Sequence, residues 1–302
     1  TRFKCATIAE AEMTAMSGGR DVLLAHQPVG PNLARFLKLQ ECFPEVAFSA
    51  TVDSPEVVAE FEKMGQSARL FVDVDCGMHR TGIEPGEGAL ALCQRIAFSD
   101  NLDFVGLHAY DGHLHQPGLF DRTEAHAAAI ESWACLLDAL EGQNLAPFTI
   151  VVGGSPTFGL FAQMDNWQCS PGTTLFWDAG YGHAFPDLDF EVAAMLLTRV
   201  ISKPNGRLCL DLGHKSVAAE KPIGNRAWFP DLPEAKPFLQ SEEHFVLDAP
   251  NAGDFAVGDA LLAVPWHVCP TVALHAHAHL VRDGCVTGET WQVAARNRSL
   301  TI

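Results

Sequence analysis

Basic residues are scarce in this chain: 20 Lys and Arg stand against 37 Asp and Glu, a formal net charge of −17 over 302 residues. So negative a surface repels both nucleic acid and anionic membrane, and neither is expected as a partner. Long apolar runs are also missing. The best stretch, Val192 to Leu197, falls far short of the roughly 18–20 residues that a membrane span needs. No signal-peptide pattern opens the chain. The nine cysteines stand singly, with no Cys-x-x-Cys pair. An odd count in a chain of this size fits reduced thiols in a cytoplasm better than a disulfide framework. There is no internal repeat and no low-complexity segment. What is present is a globular composition, 48% hydrophobic and 19% charged, long enough for one large domain or two.

The first 180 or so residues alternate strand-like and helix-like text. Strands are expected over 2–6, 21–25, 46–52, 69–75, 102–109, 148–152 and 174–177. Helices are expected over 7–17, 31–43, 54–64, 86–98, 121–142 and 158–163. Thr7 with Glu10 makes a capping box, Ser54-Pro55 an N-cap followed by Pro at the first helical position, and Gly18-Gly19 a helix stop. The recurring βα unit implies a parallel sheet with helices outside. Seven strands are one short of a closed (β/α)8 barrel, so the expected fold is a TIM-like barrel whose first strand is not in the chain. After Pro186 the text turns to short apolar or alternating runs, at 194–202, 207–212, 244–247, 260–264 and 271–281. The expected division is therefore a βα barrel over 1–185 and a β-rich domain over 186–302.

Barrel chemistry sits at the C-terminal ends of the strands. Four polar motifs fall there: DVDCGMHRTG over 73–82, GLHAYDGH over 106–113, GGSPT over 153–157 and SPGTT over 170–174. The last two are Gly/Ser/Thr loops whose backbone N–H groups and hydroxyls can surround an anion, or can be ordinary βα turns. Arg80 follows a strand bearing Asp73 and Asp75; it is either a structural ion-pair partner at the rim or a cation that orients an anionic ligand oxygen. Tyr110 is one of only two tyrosines, the other being Tyr181. In PWHVCPT over 265–271, His267 and Cys269 stand two apart, so on an extended chain both face one way. Imidazole and thiolate are good zinc ligands, while on spacing alone a packed His and a buried Cys fit as well. His275, His277 and His279 are expected to line one exposed or interface strand face. Glu242, Glu243 and His244 offer a candidate carboxylate partner for the metal.

Taken in order along the chain, CATIAEAE (5–12), VDVDCGMHRTG (72–82), GLHAYDGH (106–113), GGSPT (153–157), SPGT (170–173), DLGHK (211–215), SEEH (241–244) and PWHVCPT (265–271) resemble the D-threonine aldolase and D-serine dehydratase family of pyridoxal phosphate enzymes. That family shares an alanine racemase-like barrel and a following β domain. The resemblance implies that Arg80 hydrogen-bonds the cofactor's phenolic oxygen and that Tyr110 lies beside its pyridine ring. It implies that Gly154, Ser155 and Thr157, together with Gly172 and Thr173, hold the phosphate, with help from Tyr181. His267 and Cys269 would bind a divalent metal beside the substrate's β-hydroxyl, zinc before manganese or magnesium. Aldolases of the family usually carry His-x-Asp at this place and dehydratases His-x-Cys, so Cys269 tilts the expectation toward dehydration.

One departure stands out. The family's Schiff-base lysine lies at the end of the first barrel strand, in a Pro-His-x-Lys-Thr-His-Lys-like segment that does not occur here; Lys4, in what reads as the second strand, does not match it. Either the chain is a truncated version of a longer enzyme or it is a homologue without the covalent cofactor anchor; the expected activity is that of the complete enzyme, and without the lysine this chain is expected to be inert. That activity is a lyase reaction on a D-3-hydroxyamino acid, giving a 2-oxo acid and ammonia. Retro-aldol cleavage to glycine and an aldehyde is the alternative, and a non-catalytic barrel that binds pyridoxal phosphate is the reading from another class. The family resemblance also implies a homodimer.

Overall fold

The computed structural model describes residues 1–145, 148–165 and 167–302. The chain divides into two compact units, Thr1–Pro171 with Asn297–Ile302, and Gly172–Arg296.

The first unit is a parallel sheet of seven strands: β1 (Phe3–Cys5), β2 (Asp21–Leu24), β3 (Ala47–Val52), β4 (Ala68–Asp73), β5 (Leu102–His108), β6 (Thr149–Val152) and β7 (Trp167–Cys169). Each strand pairs in space with its neighbour in sequence, in the order β1-β2-β3-β4-β5-β6-β7. A doubly wound sheet reverses its order part way. An unreversed order is that of a barrel wall, as the βα counting predicts. The helices between the strands are α1 (Ile8–Met16), α2 (Pro31–Cys42), α3 (Pro55–Met64), α4 (Glu87–Ala97), α5 (Leu119–Gly142) and the single turn α6 (Phe158–Phe161).

The helices start where their caps dictate. Thr7 accepts from Glu10 N while the Glu10 carboxylate accepts from Thr7 N, the reciprocal box expected from sequence. Ser54 caps α3 ahead of Pro55, and Gly65 closes it in the left-handed region. Each helix then buries one stripe. On α4 the buried residues are Ala89, Leu92, Cys93 and Ile96, a spacing of three, four and seven that keeps them on one face. Against these stripes the strands present Val22, Leu24, Ala50, Val52, Leu70, Val72, Ile150 and Val152, forming the main core. The alternate strand residues Leu23, Phe71 and Val151 form a small separate cluster on the opposite face. Lys4 is in register with Leu23, and His108 with both Asp73 and Val151. Paired residues of a parallel sheet point to the same side, so Lys4, Asp73 and His108 share this inner face.

The expected strand at 174–177 is instead a 3-10 turn over Thr173–Leu175, in which Phe176 and Trp177 donate back to the Thr173 carbonyl. The seventh strand is β7, three residues paired with Ile150–Val152. It is too short to show an alternation, and Pro171 cuts it off. The last residues also belong to the first unit: buried Glu12 on α1 accepts from Thr301 N at 3.0 Å and from the Thr301 hydroxyl, and Leu300 and Ile302 pack on the main core.

The second unit holds α7 (Ala179–Ala184), then β8 (Leu196–Ser202), β9 (Leu208–Leu210), β10 (Ala227–Trp228), β11 (Lys236–Gln240), β12 (Phe245–Asp248), β13 (Ala260–Pro265), α8 (Val268–Leu274), β14 (His277–Arg282) and β15 (Cys285–Gln292). Six of the strands make an antiparallel sheet in the order β10-β13-β8-β9-β12-β11, and β14 and β15 form a hairpin. The start of the run expected as a strand over 271–281 is helical, so His275 ends α8 with Nε2 on the Ser216 carbonyl at 2.8 Å. Only His277 and His279 share a strand face, with their rings 5.1 Å apart. No helix among the described residues is long and apolar enough to cross a membrane.

Gly106 interrupts β5 at a φ of 153° where the β4–β5 register shifts, and a Cβ there would collide with the Thr149 carbonyl of β6. Gly106→Ala is expected to lower stability by roughly 1–3 kcal/mol or more, read as a drop in the urea midpoint. An unchanged midpoint would mean that β5 and β6 do not approach so closely.

Candidate functional site

In the first unit the chemistry gathers where β4, β5 and β6 end. Asp73 closes β4; its Oδ1 pairs with His108 Nδ1 at 2.6 Å and its Oδ2 accepts from the Thr81 hydroxyl at 2.8 Å. His108 is 4% exposed and its Nε2 has no hydrogen-bond partner among the described residues. Burial holds its pKa below the usual imidazole value, against the pull of the Asp73 hydrogen bond. Asp75 wraps the loop that follows. It accepts from Gly77 N at 3.0 Å and His79 N at 2.9 Å and pairs with the His79 ring at 2.8 Å. Although partial burial opposes it, these donors hold the Asp75 carboxyl below its ordinary value.

Both carboxylates flanking Arg80 are thus engaged elsewhere, and no ion pair to Arg80 is formed among the described residues. The rim ion pair that the sequence leaves open for Arg80 is not made. Its guanidinium carbon lies 4.8 Å from the centre of the Tyr110 ring, and the Lys4 ammonium 5.3 Å from the same ring, within cation–π distance. Burial pushes Lys4 down to about 8, against Asp111 and Asp73, which pull it up; Arg80 adds to the lowering.

Asp111, which the motif reading passed over, organises the next loop. Its Oδ1 accepts from Gly154 N at 2.9 Å and its Oδ2 from the Thr157 hydroxyl. The GGSPT loop does surround an anion, but that anion is a side chain of the protein itself. The Gly154 N–H and the Thr157 hydroxyl proton are therefore committed. The pattern could have been found: a buried Asp directly after the tyrosine is a natural acceptor for a Gly-rich turn.

Gly172, Thr173 and Tyr181 belong to the second unit, Thr173 opening the 3-10 turn and Tyr181 lying in α7. Tyr181 packs between Trp177 at 5.6 Å and Phe185 at 5.3 Å. Asp178 caps α7 by accepting from Tyr181 N at 2.9 Å, and its other oxygen accepts from Val268 N at 3.0 Å. Burial pushes the Asp178 carboxyl up, against those two donors. One carboxylate thus fixes the start of two helices. Gly180 presses against the Trp266 carbonyl, donating to it at 3.0 Å; a side chain there would collide with it.

His267 has the extended backbone expected, but the chain turns helical straight after it, so Cys269 does not continue an extended run. His267 is the N-cap residue of α8 and Cys269 lies in its first turn, yet the thiol still sits beside the imidazole. The Cys269 hydrogen bond, and behind it the Glu220 carboxylate, raise His267 to about 9. His267 Nδ1 pairs with Glu220 Oε1 at 2.6 Å. The Thr173 hydroxyl is 3.9 Å from Cys269 Sγ. Glu242 and Glu243, the carboxylates expected to back the metal, pair with Lys215 at 2.8 and 3.3 Å instead. Among the described residues no group of three or more His, Cys, Asp and Glu side chains could hold a metal ion. The arrangement offers two protein donors, one nitrogen and one sulfur.

A profile described as "Alanine racemase, N-terminal domain" matches residues 1–179, and one described as "Putative serine dehydratase domain" matches residues 193–281. The 3-hydroxy-D-aspartate aldolase of Paracoccus denitrificans is 29% identical over 97% of this chain and 78% of its own length. The D-threonine aldolase of an Arthrobacter species is 30% identical over 98% and 79%. The crystal structure of D-threonine aldolase from Filomicrobium marinum superposes with a TM-score of 0.88 at 27% identity, covering 97% of this chain and 81% of that one. D-threo-3-hydroxyaspartate dehydratase from Delftia sp. HT23 shares the fold, with a TM-score of 0.78 at 22% identity over 96% and 83%.

Pulse acetylation of Lys4 followed across pH by mass spectrometry is expected to show a midpoint near 8 rather than near the ordinary lysine value of about 10.4. Arg80→Gln removes a neighbouring positive charge and should move that midpoint upward. A Lys4 midpoint above 10 would show the amine fully solvated and this cluster wrongly described.

Proposed function

The chain belongs to the alanine racemase-like family that includes D-threonine aldolase, and from that premise we propose that it is a pyridoxal phosphate- and metal-dependent lyase of D-3-hydroxyamino acids. The observation that carries a lyase rather than a racemase is the imidazole–thiol pair of His267 and Cys269, since racemisation needs no metal.

The residues present fit both groups. For the cofactor, Arg80 makes no ion pair among the described residues and lies beside an aromatic wall, and His108 turns onto the sheet's inner face an Nε2 without a hydrogen-bond partner among them. For the metal, a neutral imidazole nitrogen and a thiolate are the donor set zinc prefers. When bound, pyridoxal phosphate supplies an electron sink for negative charge at the substrate's α carbon. A divalent metal supplies a Lewis acid that polarises a hydroxyl. Arg80 orients the cofactor's phenolic oxygen and Tyr110 provides the flat surface beside its ring. Ser155 contributes to the phosphate site; Gly154 and Thr157 shape it through Asp111. Lys4 Nζ, with its pKa near 8, can exchange a proton under physiological conditions.

Cys269, in place of the aspartate usual in aldolases, favours dehydration to a 2-oxo acid and ammonia. A second reading, retro-aldol cleavage, is favoured by the names of the two relatives near 30% identity. Supplying the complete enzyme, with the Schiff-base lysine segment included, with pyridoxal phosphate and zinc, offering D-threo-3-hydroxyaspartate and D-threonine, and measuring 2-oxo acid against glycine decides between them. Excess 2-oxo acid is expected, with a chelator lowering its formation at least about tenfold, and Cys269→Asp shifting the ratio toward glycine. Product formation undiminished by the chelator would remove the metal from the account. Cofactor binding without any product would favour a non-catalytic barrel.

A further inference from the structure

We propose that Glu220 is a positioning residue for the metal: it holds the His267 ring with the proton on Nδ1, so that the Nε2 lone pair is presented for coordination. This rests on the reading of His267 and Cys269 as the metal-binding pair.

The geometry leaves the imidazole little choice. The backbone on the C-terminal side of His267 is fixed by Val268 N donating to buried Asp178 at 3.0 Å. The His267 carbonyl accepts from the Thr271 hydroxyl at 2.8 Å, and that same hydroxyl accepts from Ala218 N at 3.2 Å. Thr271, 3% exposed, therefore ties the segment leading to Glu220 to the turn that carries His267. With both backbones anchored, ring rotation and tautomer are the freedoms left to His267. Glu220 Oε1 at 2.6 Å from Nδ1 removes both. A carboxylate can only accept, so the ring nitrogen facing it must be the one that carries hydrogen. Nε2 is then the basic nitrogen, and the negative charge behind the ring makes it a better donor. The two acids nearest in the motif text, Glu242 and Glu243, cannot take this role, because each is paired with Lys215. The acid that does the work comes from the loop after β9, nearly fifty residues before the histidine in sequence.

The test is zinc affinity of the whole protein, by competition with a chromophoric chelator, for the wild type, Glu220→Ala, Glu220→Gln and His267→Ala. Urea denaturation of the metal-free proteins checks that each variant is folded. The expected result is a single zinc in the wild type, lost in His267→Ala and weakened about 10–100-fold in Glu220→Ala. Glu220→Gln, whose amide oxygen still accepts from Nδ1–H without the charge, should recover part of that loss; a merely structural side chain would give no such graded rescue. The cobalt-substituted proteins should keep one thiolate-to-cobalt absorption band position throughout, with only its titration midpoint moving in the Glu220 variants. Zinc binding by Glu220→Ala within threefold of the wild type would overturn the role of Glu220 while leaving the metal pair intact. Wild-type protein that takes no zinc, or a His267→Ala variant that binds as well as wild type, would overturn the metal reading itself.

Discussion

A parallel sheet leaves backbone N–H groups unpaired just where its strands run out and the chain turns into loops and helices, and a buried N–H without an acceptor costs roughly 1–3 kcal/mol. Aspartate carboxylates meet that need here. Asp111 takes the Gly154 N–H and the Thr157 hydroxyl, and Asp75 takes two N–H groups of the 77–79 turn. In the second unit Asp178 takes the first N–H groups of two helices. Three of the candidate functional side chains lie beside these fasteners in sequence: Tyr110 before Asp111, Arg80 after the Asp75 loop, His267 before the residue whose N–H Asp178 accepts.

The same economy shapes the electrostatics. The chain carries a formal charge of −17, yet two of its cations, Lys4 and Arg80, face a single tyrosine ring. The acids that could neutralise Arg80 are spent on backbone, histidine and threonine, which leaves a guanidinium available to an anionic ligand oxygen. Lys4 is the counterpart. It lies on the inner sheet face, where burial outweighs the attraction of Asp73 and Asp111 and lowers its hold on the proton.

Much of the fold was legible in the sequence because its signals are local. Caps at Thr7 and Ser54, stripes at helical spacing and β-branched strands each declare themselves within a dozen residues, and the strand count pointed to a barrel wall. What was missed depended on distance or on short elements. β7 is three residues long and gave no alternation, so the strand was expected at 174–177, where turn hydrogen bonds to Thr173 won instead. The α8 helix begins at a proline-flanked His-x-Cys that reads as extended, and only the Asp178 cap from 90 residues earlier shows why it coils there. For the same reason Asp111 and Glu220 were invisible as site residues. Their roles lie in acceptors supplied across 43 and 47 residues of chain, which no spacing rule reports. Arg80, Tyr110, His267 and Cys269 stood out because rare or chemically pointed residues fell at strand ends or in a tight pair.

Anomalous diffraction at the zinc edge, from crystals of the protein grown with pyridoxal phosphate and zinc, should show one strong peak bonded to His267 Nε2 and Cys269 Sγ, at about 2.0–2.1 and 2.3 Å, with Glu220 still on Nδ1, and cofactor density against Tyr110 within reach of Arg80. A zinc peak elsewhere, or cofactor density away from Tyr110 and Arg80, would contradict that arrangement.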